Sequence, residues 1–326
     1  MKKNKHPFLP FLLVCEMILS ICGCTKKAVP APDVKDLELS GRNEKTTAVF
    51  NYIRDNFGEH ILSAQQESTW LDSPDYEMNY LMDVTGKLPA IRGLDFMSND
   101  FDGVAERAIE WDRKGGIVTI CWHTGVDISG YNESKKDRPD FDKLLTPGTE
   151  EYETLMNSWD KAAKTLQYLR DENVPVLWRP FHEFDGKWFW WGKGGPDNFV
   201  KLWRLMYDKF TNEYGLDNLI WVLGYSEKMR DGWYPGDEYV DIVGSDNYDK
   251  STNLKAWNKL TEITSKPMAF HECGMVPSSE RFEKDGTIWA WFMIWHTKWL
   301  TDNKDERLYD VYNSDLVITL DELPEF

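Results

Sequence analysis

The sequence predicts an α/β fold in which eight parallel strands close into a (β/α)8 barrel, or TIM barrel, surrounded by helices. Short apolar segments rich in β-branched residues alternate with segments of helical periodicity through most of the 326-residue chain. Eight such units fit the usual length of one barrel. Polar or aromatic residues also stand at the ends of most strand-like segments. No internal boundary or repeat interrupts the pattern, so we expect a single domain.

Eight segments are predicted to be barrel strands because each is a short apolar run with β-branched or aromatic residues. In chain order they are Ile61–Gln66, Pro89–Phe96, Gly116–His123, Val174–Glu183, Asn218–Tyr225, Val240–Tyr248, Pro267–Cys273 and Trp289–His296.

Helical spacing of apolar residues separates most of these strands. The predicted helices are Asn43–Asn56, Asp102–Lys114, Glu150–Asp171, Asn198–Tyr214, Asn253–Ser265 and Glu306–Tyr312. Two segments lack this spacing. We expect Thr124–Pro147 to be a long polar loop and Lys228–Glu238, after the fifth strand, to be irregular.

The first 23 residues are predicted to be an export signal. Met1–Lys5 is basic, and the following apolar run, residues 8–21, is interrupted by Glu16 and too short for a stable membrane span. The small residue before Cys24 resembles a bacterial lipobox. We therefore expect lipidation of Cys24, with ordinary cleavage, or Cys22 as a competing site, as the alternatives.

Residues 24–40 are predicted to be a flexible tether, because Ala28–Asp33 is rich in proline. The catalytic domain would then occupy residues 41–326. We expect an exported protein whose only membrane attachment is the lipid at Cys24, either on the periplasmic face or at the cell surface. The absence of acidic residues directly after Cys24 favours the periplasmic face.

Composition limits the class of partner. A net charge of -17 argues against a nucleic-acid partner, since phosphate backbones are bound by Lys and Arg. Sixteen tryptophans exceed what a core of this size requires, and tryptophan also stacks on sugar rings. Cys121 and Cys273 are expected to be small buried side chains rather than a disulfide or zinc site. The chain is expected to act as a monomer.

Active sites of these barrels lie at the carboxyl ends of the strands, so the residues at the strand ends are the candidates for chemistry. Those ends carry His123, Glu183, Tyr248, Glu272 and Trp295, on the third, fourth, sixth, seventh and eighth strands. A single glutamate there is usually a surface ion-pairing residue. Two glutamates at strands four and seven, each preceded by histidine, instead match the pair that glycoside hydrolysis requires.

The segments Arg179–Glu183 (RPFHE) and Gly186–Gly192 (GKWFWWG) closely resemble the signature of glycoside hydrolase family 26, chiefly β-mannanases. The resemblance extends over the domain that follows the tether. It implies a (β/α)8 barrel and retaining, double-displacement hydrolysis. Glu183 would be the acid/base. Glu272, in His271–Gly274, would be the nucleophile, an assignment that depends partly on position.

The resemblance also implies substrate-binding residues, namely His123, Trp188 and Tyr248, with Trp295 as the aromatic platform of the eighth strand. Trp291 lies on the same strand, and spacing alone does not choose between the two tryptophans.

Physical roles can be assigned to the neighbours of the two glutamates. We expect Tyr248 to donate a hydrogen bond to Glu272, and Arg179 to lie beneath the site and hold a carboxylate. His182 and His123 would orient the acid and the sugar hydroxyls, although His182 could instead be a packed core histidine. Of Trp190 and Trp191, at least one should be wall or core.

The sequence therefore predicts a retaining β-mannanase that cuts β-1,4 bonds in mannan, galactomannan or glucomannan. A mixed-linkage β-glucanase or β-xylanase of the same fold is the first alternative, and a non-catalytic glycan-binding protein the second. Retention requires carboxyl groups about 5–5.5 Å apart. No metal-ligand spacing or phosphate loop is present, so no metal or cofactor is expected. Endo or exo action stays open.

Overall fold

Eight parallel strands form a closed barrel in the computed structural model of the chain, which describes residues 27–69 and 73–326. Each strand pairs with the next, and the eighth returns to the first, which confirms the predicted (β/α)8 fold. The strands are β1 (Ile61–Gln66), β2 (Ile91–Asp95), β3 (Ile117–Cys121), β4 (Val176–Arg179), β5 (Leu219–Tyr225), β6 (Ile242–Asn247), β7 (Met268–Cys273) and β8 (Trp291–Ile294). The predicted export signal and Cys24 lie outside the described residues.

Helices cover the outside of the barrel, and all six predicted helices are present within a few residues of their expected bounds. In chain order the helices are α1 (Glu44–Asn56), α2 (Tyr76–Thr85), α3 (Phe101–Arg113), α4 (Tyr131–Lys136), α5 (Phe141–Leu144), α6 (Glu150–Asp171), α7 (Trp190–Lys193), α8 (Pro196–Tyr207), α9 (Leu254–Ile263), α10 (Ser279–Asp285), α11 (Lys298–Thr301) and α12 (Asp305–Tyr312). Within the described residues, none has the length and apolar composition needed to cross a bilayer.

Side-chain caps and buried faces explain where the principal helices form. The Asn43 side chain accepts a hydrogen bond from Thr46 N–H at 2.8 Å and caps α1, and Thr149 caps α6 in the same way. The longest helix, α6, buries one face through the apolar positions that the sequence shows at helical spacing. The predicted helix from Asn198 to Tyr214 is α8, which continues as one π-helical turn over Asp208–Glu213.

Two irregular segments differ in how well they were anticipated. Thr124–Pro147 was expected to be a loop, but it contains the short helices α4 and α5, which are too short to give a periodic signal. Between β5 and β6, where every residue is described, the chain forms only a 3-10 turn over Asp237–Tyr239. The fifth helix of the barrel is therefore missing, as the sequence indicated.

Five strands end earlier than predicted, so several candidate residues follow their strand instead of ending it. β4 ends at Arg179 because Pro180 has no N–H to continue the ladder, and Phe181 and Glu183 then adopt positive φ values of 52° and 53°. His123, Tyr248 and Trp295 likewise lie just beyond β3, β6 and β8. They remain at the carboxyl-terminal rim, which we call the mouth of the barrel.

The segment 28–43 crosses the opposite, bottom face of the barrel. Its hydrogen bonds are Ala28 N–H to Asp285 O (2.8 Å), Trp257 Nε1–H to Val29 O (2.8 Å) and Asn43 N–H to Asp217 O (3.1 Å). A short strand, β9 (Val317–Ile318), also pairs with β1 at this end. Residues 28–40 therefore pack on the barrel, in contrast to the flexible tether that their proline content suggested.

Candidate active site

A cavity of about 530 Å³ opens at the mouth of the barrel. It is lined by residues that lie at or just beyond the carboxyl ends of seven of the eight strands: Gln66, Glu67, Thr69, Asp95, Met97, His123, Tyr131, Glu183, Phe189, Tyr248, Glu272, Trp295 and His296. Both candidate carboxylates, His123, Tyr248 and Trp295 thus border one space. Arg179 and His182 lie beneath the cavity. Trp188 forms a hydrogen bond with Glu183, which borders the cavity.

Glu183 is held by the turn after β4. Its backbone N–H donates to the carbonyl of Gly224 on β5 at 2.7 Å, and its positive φ directs the side chain into the mouth. The indole Nε1–H of Trp188 donates to Glu183 Oε2 at 2.8 Å. Burial and the nearby Glu272 raise the pKa of Glu183 to about 8, against the opposing effect of the Trp188 hydrogen bond. Glu183 is therefore protonated at neutral pH.

Glu272 lies on β7, at a point where the pairing of this strand with both β6 and β8 shifts register, among cationic and hydroxyl partners. Arg179 Nη1 lies 2.7 Å from Glu272 Oε1, and this contact is an ion pair without hydrogen-bond alignment. The Tyr248 hydroxyl donates to Glu272 Oε2 at 2.5 Å. Burial is the largest single influence and lowers the pKa of Arg179, but the combined effects of Glu272, Cys121 and Asp246 raise it above its usual value. A guanidinium and a hydroxyl group therefore hold the two oxygens of Glu272 in place.

A third carboxylate, Asp246 on β6, lies close to both glutamates. One oxygen of each of the three side chains lies within 4.8 Å of the others. Arg179 Nη1 lies 3.6 Å from Asp246 Oδ2, so one guanidinium serves two carboxylates. Burial, reinforced by the charge of Glu272, raises the pKa of Asp246 well above its usual range. Such a triad could ligate a cation, but Arg179 already supplies positive charge at this point.

Two histidines link the ends of β2, β3 and β4 at the floor of the cavity. His123 Nδ1 lies 2.5 Å from Asp95 Oδ2, and its Nε2 lies 2.9 Å from Nε2 of His182. Burial lowers the pKa of His182 well below its usual value, so this ring is neutral. The pKa of Asp95 is lowered, because the contacts with His123 outweigh burial. An ionised Asp95 accepts the Nδ1 proton of His123, and the Nε2 atoms of His123 and His182 face each other across one hydrogen bond. His182 is thus a buried histidine that does not line the cavity, although its Nε2 lies 3.8 Å from Glu272 Oε1.

Two strand glycines provide the space that His271 occupies inside the barrel. A Cβ on Gly224 would lie 2.9 Å from the His271 ring, and one on Gly244 would lie 2.6 Å from its Nε2. His271 Nδ1 lies 2.9 Å from Asp246 Oδ1, and burial lowers the pKa of His271 well below its usual value. A neutral imidazole therefore supports Asp246 from below, and through it the position of Arg179.

The aromatic residues divide into cavity walls and core. Trp295 lines the cavity, with its ring centroid 6.2 Å from that of His123, whereas Trp291 is buried inside the barrel beside His271. The structure thus places Trp295 at the position expected of the platform. Trp190 and Trp191 are both fully buried.

Several residues of the site were not identified from the sequence. Asp95 is the last residue of β2, so the rule that selected the other strand ends would also have found it. Asp246 stands two positions before Tyr248 and could have been proposed from that spacing. Tyr131, at the start of α4, and Phe189, in the loop after β4, also line the cavity, and no sequence pattern pointed to them.

A barrel mouth that holds two close carboxylates among aromatic side chains defines the class of glycoside hydrolases. The chain belongs to glycosyl hydrolase family 26, whose family model matches residues 40–322.

Similar proteins share this family and fold. A protein of Thermothelomyces thermophilus named mannan endo-1,4-beta-mannosidase is 35% identical over 302 residues, which cover 85% of this chain and 61% of that protein. The crystal structure of a ruminal GH26 endo-beta-1,4-mannanase superposes with a TM-score of 0.83 at 30% identity, covering 90% of this chain and 71% of the other. A β-mannanase from a symbiotic protist of the termite Reticulitermes speratus gives 0.78 at 30% identity, covering 92% and 99%.

Many of these relatives are longer proteins. The chain spans 61%, 52% and 49% of the lengths of three curated relatives that it matches, all named mannan endo-1,4-beta-mannosidases.

Proposed function

We propose that the chain is a retaining glycoside hydrolase that cleaves β-1,4-mannosidic bonds in mannan, galactomannan or glucomannan. The approach of Glu183 and Glu272 carries the proposal. Their nearest oxygens lie within 4.8 Å, which is close to the spacing of retaining enzymes and below the roughly 6.5–9.5 Å of inverting ones. The names of the relatives support mannan as the substrate, and the termite-symbiont structure contains a gluco-manno-oligosaccharide.

In the first step, Glu272 attacks the anomeric carbon while Glu183 gives its proton to the leaving glycosidic oxygen. A glycosyl ester on Glu272 forms, and the leaving sugar departs as a neutral alcohol. The proton is present because burial and Glu272 raise the pKa of Glu183 to about 8. Arg179 and Tyr248 hold the attacking carboxylate in place at 2.7 Å and 2.5 Å.

In the second step, Glu183 acts as the base. Once Glu272 is esterified and uncharged, its repulsion of the Glu183 charge is gone, so Glu183 can exist as a carboxylate. It then removes a proton from water, which attacks the anomeric carbon and releases Glu272. Two inversions give net retention of the β configuration.

Substrate binding is assigned to the walls of the cavity. We propose that Trp295 stacks on a sugar ring and that His123, fixed by Asp95, contacts a sugar hydroxyl. Trp188 fixes the Glu183 side chain by its hydrogen bond and adds an aromatic surface beside it.

The anomeric form of the first product tests the mechanism. Proton NMR of mannohexaose hydrolysis should show the β-anomer first, followed by mutarotation, whereas early α-anomer would contradict retention. The same assay on galactomannan, lichenan and β-1,3-xylan tests the substrate. Cleavage confined to lichenan or xylan would replace β-mannan by that glycan, and binding without any cleavage would indicate a glycan-binding protein.

We also propose that the protein is exported, lipidated at Cys24 and active as a monomer. The basic start, apolar run and small residue before Cys24 support the first two points. Incorporation of labelled fatty acid that is lost in Cys24→Ala tests the anchor, and light scattering of the soluble domain tests the monomer.

A further inference from the structure

The loop from Ser226 to Asp241 lies behind the turn that carries Glu183. Among the described residues, no α-helix follows β5 in this part of the barrel, whereas an α-helix follows each of the other seven barrel strands. Trp233 from this loop packs against Phe184, with ring centroids 5.6 Å apart. The turn and the loop are thus one packed unit, and something other than a helix must fix the loop.

Asp185 joins these two segments. Its carboxylate is fully buried and accepts hydrogen bonds from Ser226 N–H at 2.7 Å and from Arg230 N–H at 2.9 Å. The Arg230 guanidinium donates in return to the backbone carbonyl of Asp185. Two main-chain donors in the loop therefore depend on one side chain in the turn.

The turn itself has an unfavourable backbone. Phe181, Glu183 and Lys187 all have positive φ values, between 52° and 66°, and none of them is glycine. Such conformations persist only where surrounding contacts enforce them. Asp185 lies between Glu183 and Lys187, and its contacts restrain the turn on the side away from the cavity.

We propose that Asp185 is a positioning residue for proton transfer, which fixes the Glu183 turn against the Ser226–Arg230 segment and so holds Glu183 Oε atoms at the leaving oxygen. This inference rests on the proposed function. Asp185 does not border the cavity, so it acts on the substrate only through Glu183. Its negative charge also contributes to raising the pKa of Glu183, after the larger effects of burial and Glu272.

Leaving-group dependence distinguishes positioning of the acid from general stability. Mannohexaose needs a proton on its leaving sugar, whereas 2,4-dinitrophenyl β-mannobioside releases a stable anion without one. For Asp185→Asn we expect kcat/KM to fall about 10–100-fold on mannohexaose and less than about 3-fold on the aryl glycoside, since misplaced acid groups lose much of their effect. Arg230→Met, at an exposed side chain, should show the same selectivity, with a loss of about 2–5-fold on mannohexaose.

Asp231→Asn is the matched control, because Asp231 is adjacent in the loop but its side chain is 82% exposed. It should match the wild type on both substrates. Equal losses on both substrates in Asp185→Asn, or no loss on either, would overturn the inference while leaving the proposed function intact. A wild-type protein that cleaves neither mannohexaose nor galactomannan would instead refute the proposed function, and the inference with it.

Discussion

The two glutamates at the barrel mouth lie in contrasting surroundings. Glu272 is part of strand β7 and faces a guanidinium at 2.7 Å and a hydroxyl at 2.5 Å. Glu183 follows β4 in a turn with positive φ and has one neutral donor, the Trp188 indole, at 2.8 Å. One carboxyl group therefore has a cation beside it, whereas the other is largely buried with a single uncharged donor.

This difference shows how one barrel gives identical side chains opposite roles. Charge-bearing partners come from the strands, where Arg179 and Asp246 have fixed positions inside the barrel. Glu183 is placed on a turn, where it is largely buried but lacks a cation of its own. Proximity then reinforces the difference, because the charge of Glu272 raises the pKa of Glu183 further. Four substitutions test the comparison, beginning with the largest expected effect.

Glu272→Ala should abolish turnover, with a loss on the order of 10⁴-fold or more in kcat, because no covalent intermediate can form. Added azide should occupy the vacant space and convert an activated aryl β-mannobioside to the α-mannosyl azide, detectable by NMR. Glu280→Ala, at an exposed position on α10, serves as the control. Formation of the β-azide by Glu272→Ala would reverse the assignment of the two roles.

Glu183→Gln should reduce kcat/KM on mannohexaose by about 10²–10⁴-fold and have a much smaller effect on a dinitrophenyl glycoside, since only the former needs the proton. Here azide should give the β-mannosyl azide, by attack on the glycosyl-enzyme. The control is Glu227→Gln, which changes an exposed glutamate in the loop that follows β5. Comparable losses on both substrates would contradict Glu183 as the acid.

Tyr248→Phe should lower kcat by about 10–100-fold, because a hydrogen bond to a charged group contributes roughly 1.5–3 kcal/mol. The loss should be similar for mannohexaose and for the aryl glycoside, since Tyr248 acts on Glu272 rather than on proton transfer. Steady-state kinetics on both substrates measures this. Tyr309→Phe, on the exposed face of α12, should be indistinguishable from the wild type. A loss limited to mannohexaose would indicate that Tyr248 acts on proton transfer by Glu183 instead.

The smallest expected effect is a change in the pH dependence of kcat/KM. Because Glu183 must be protonated to act as the acid and its pKa is raised to about 8, kcat/KM should fall as the pH increases through about 8. Trp188→Phe removes a donor that stabilises the carboxylate, so the midpoint of this fall should move upward. A pH profile on mannohexaose measures both. A midpoint near pH 5, or a downward shift in the variant, would show that burial does not control Glu183.

Much of the fold and part of the site could be predicted from sequence for one physical reason. All strands of a parallel barrel end at the same rim, so the last residues of Gly116–His123 and Pro267–Cys273 meet in space although they are far apart in sequence. The rule was also sufficient to find Asp95, and it was not applied to the second strand. Residues at the carboxyl ends of the strands were thus predictable from position, whereas Asp246, inside β6, was not selected.

Contacts made outside the strands were not predictable. In the sequence, Asp185 has the features of any acidic turn residue. Its hydrogen bonds come from the loop that follows β5, which packs against the turn only in the folded protein. Tyr131 reaches the cavity from α4, a helix too short to give a periodic signal. Residues 28–40 have the composition of a linker, and their packing depends on side chains from α9 that no local pattern reveals.

Residues 28–43 lie across the end of the barrel that is opposite the cavity. Asp285 and Asp217, which bind its two ends, precede β8 and β5 and so stand at the end of the barrel opposite the cavity. Anything joined ahead of residue 27, such as an affinity resin in an immobilised preparation, would therefore be attached at the rear of the barrel. Long polymer chains could then approach the mouth from open solution.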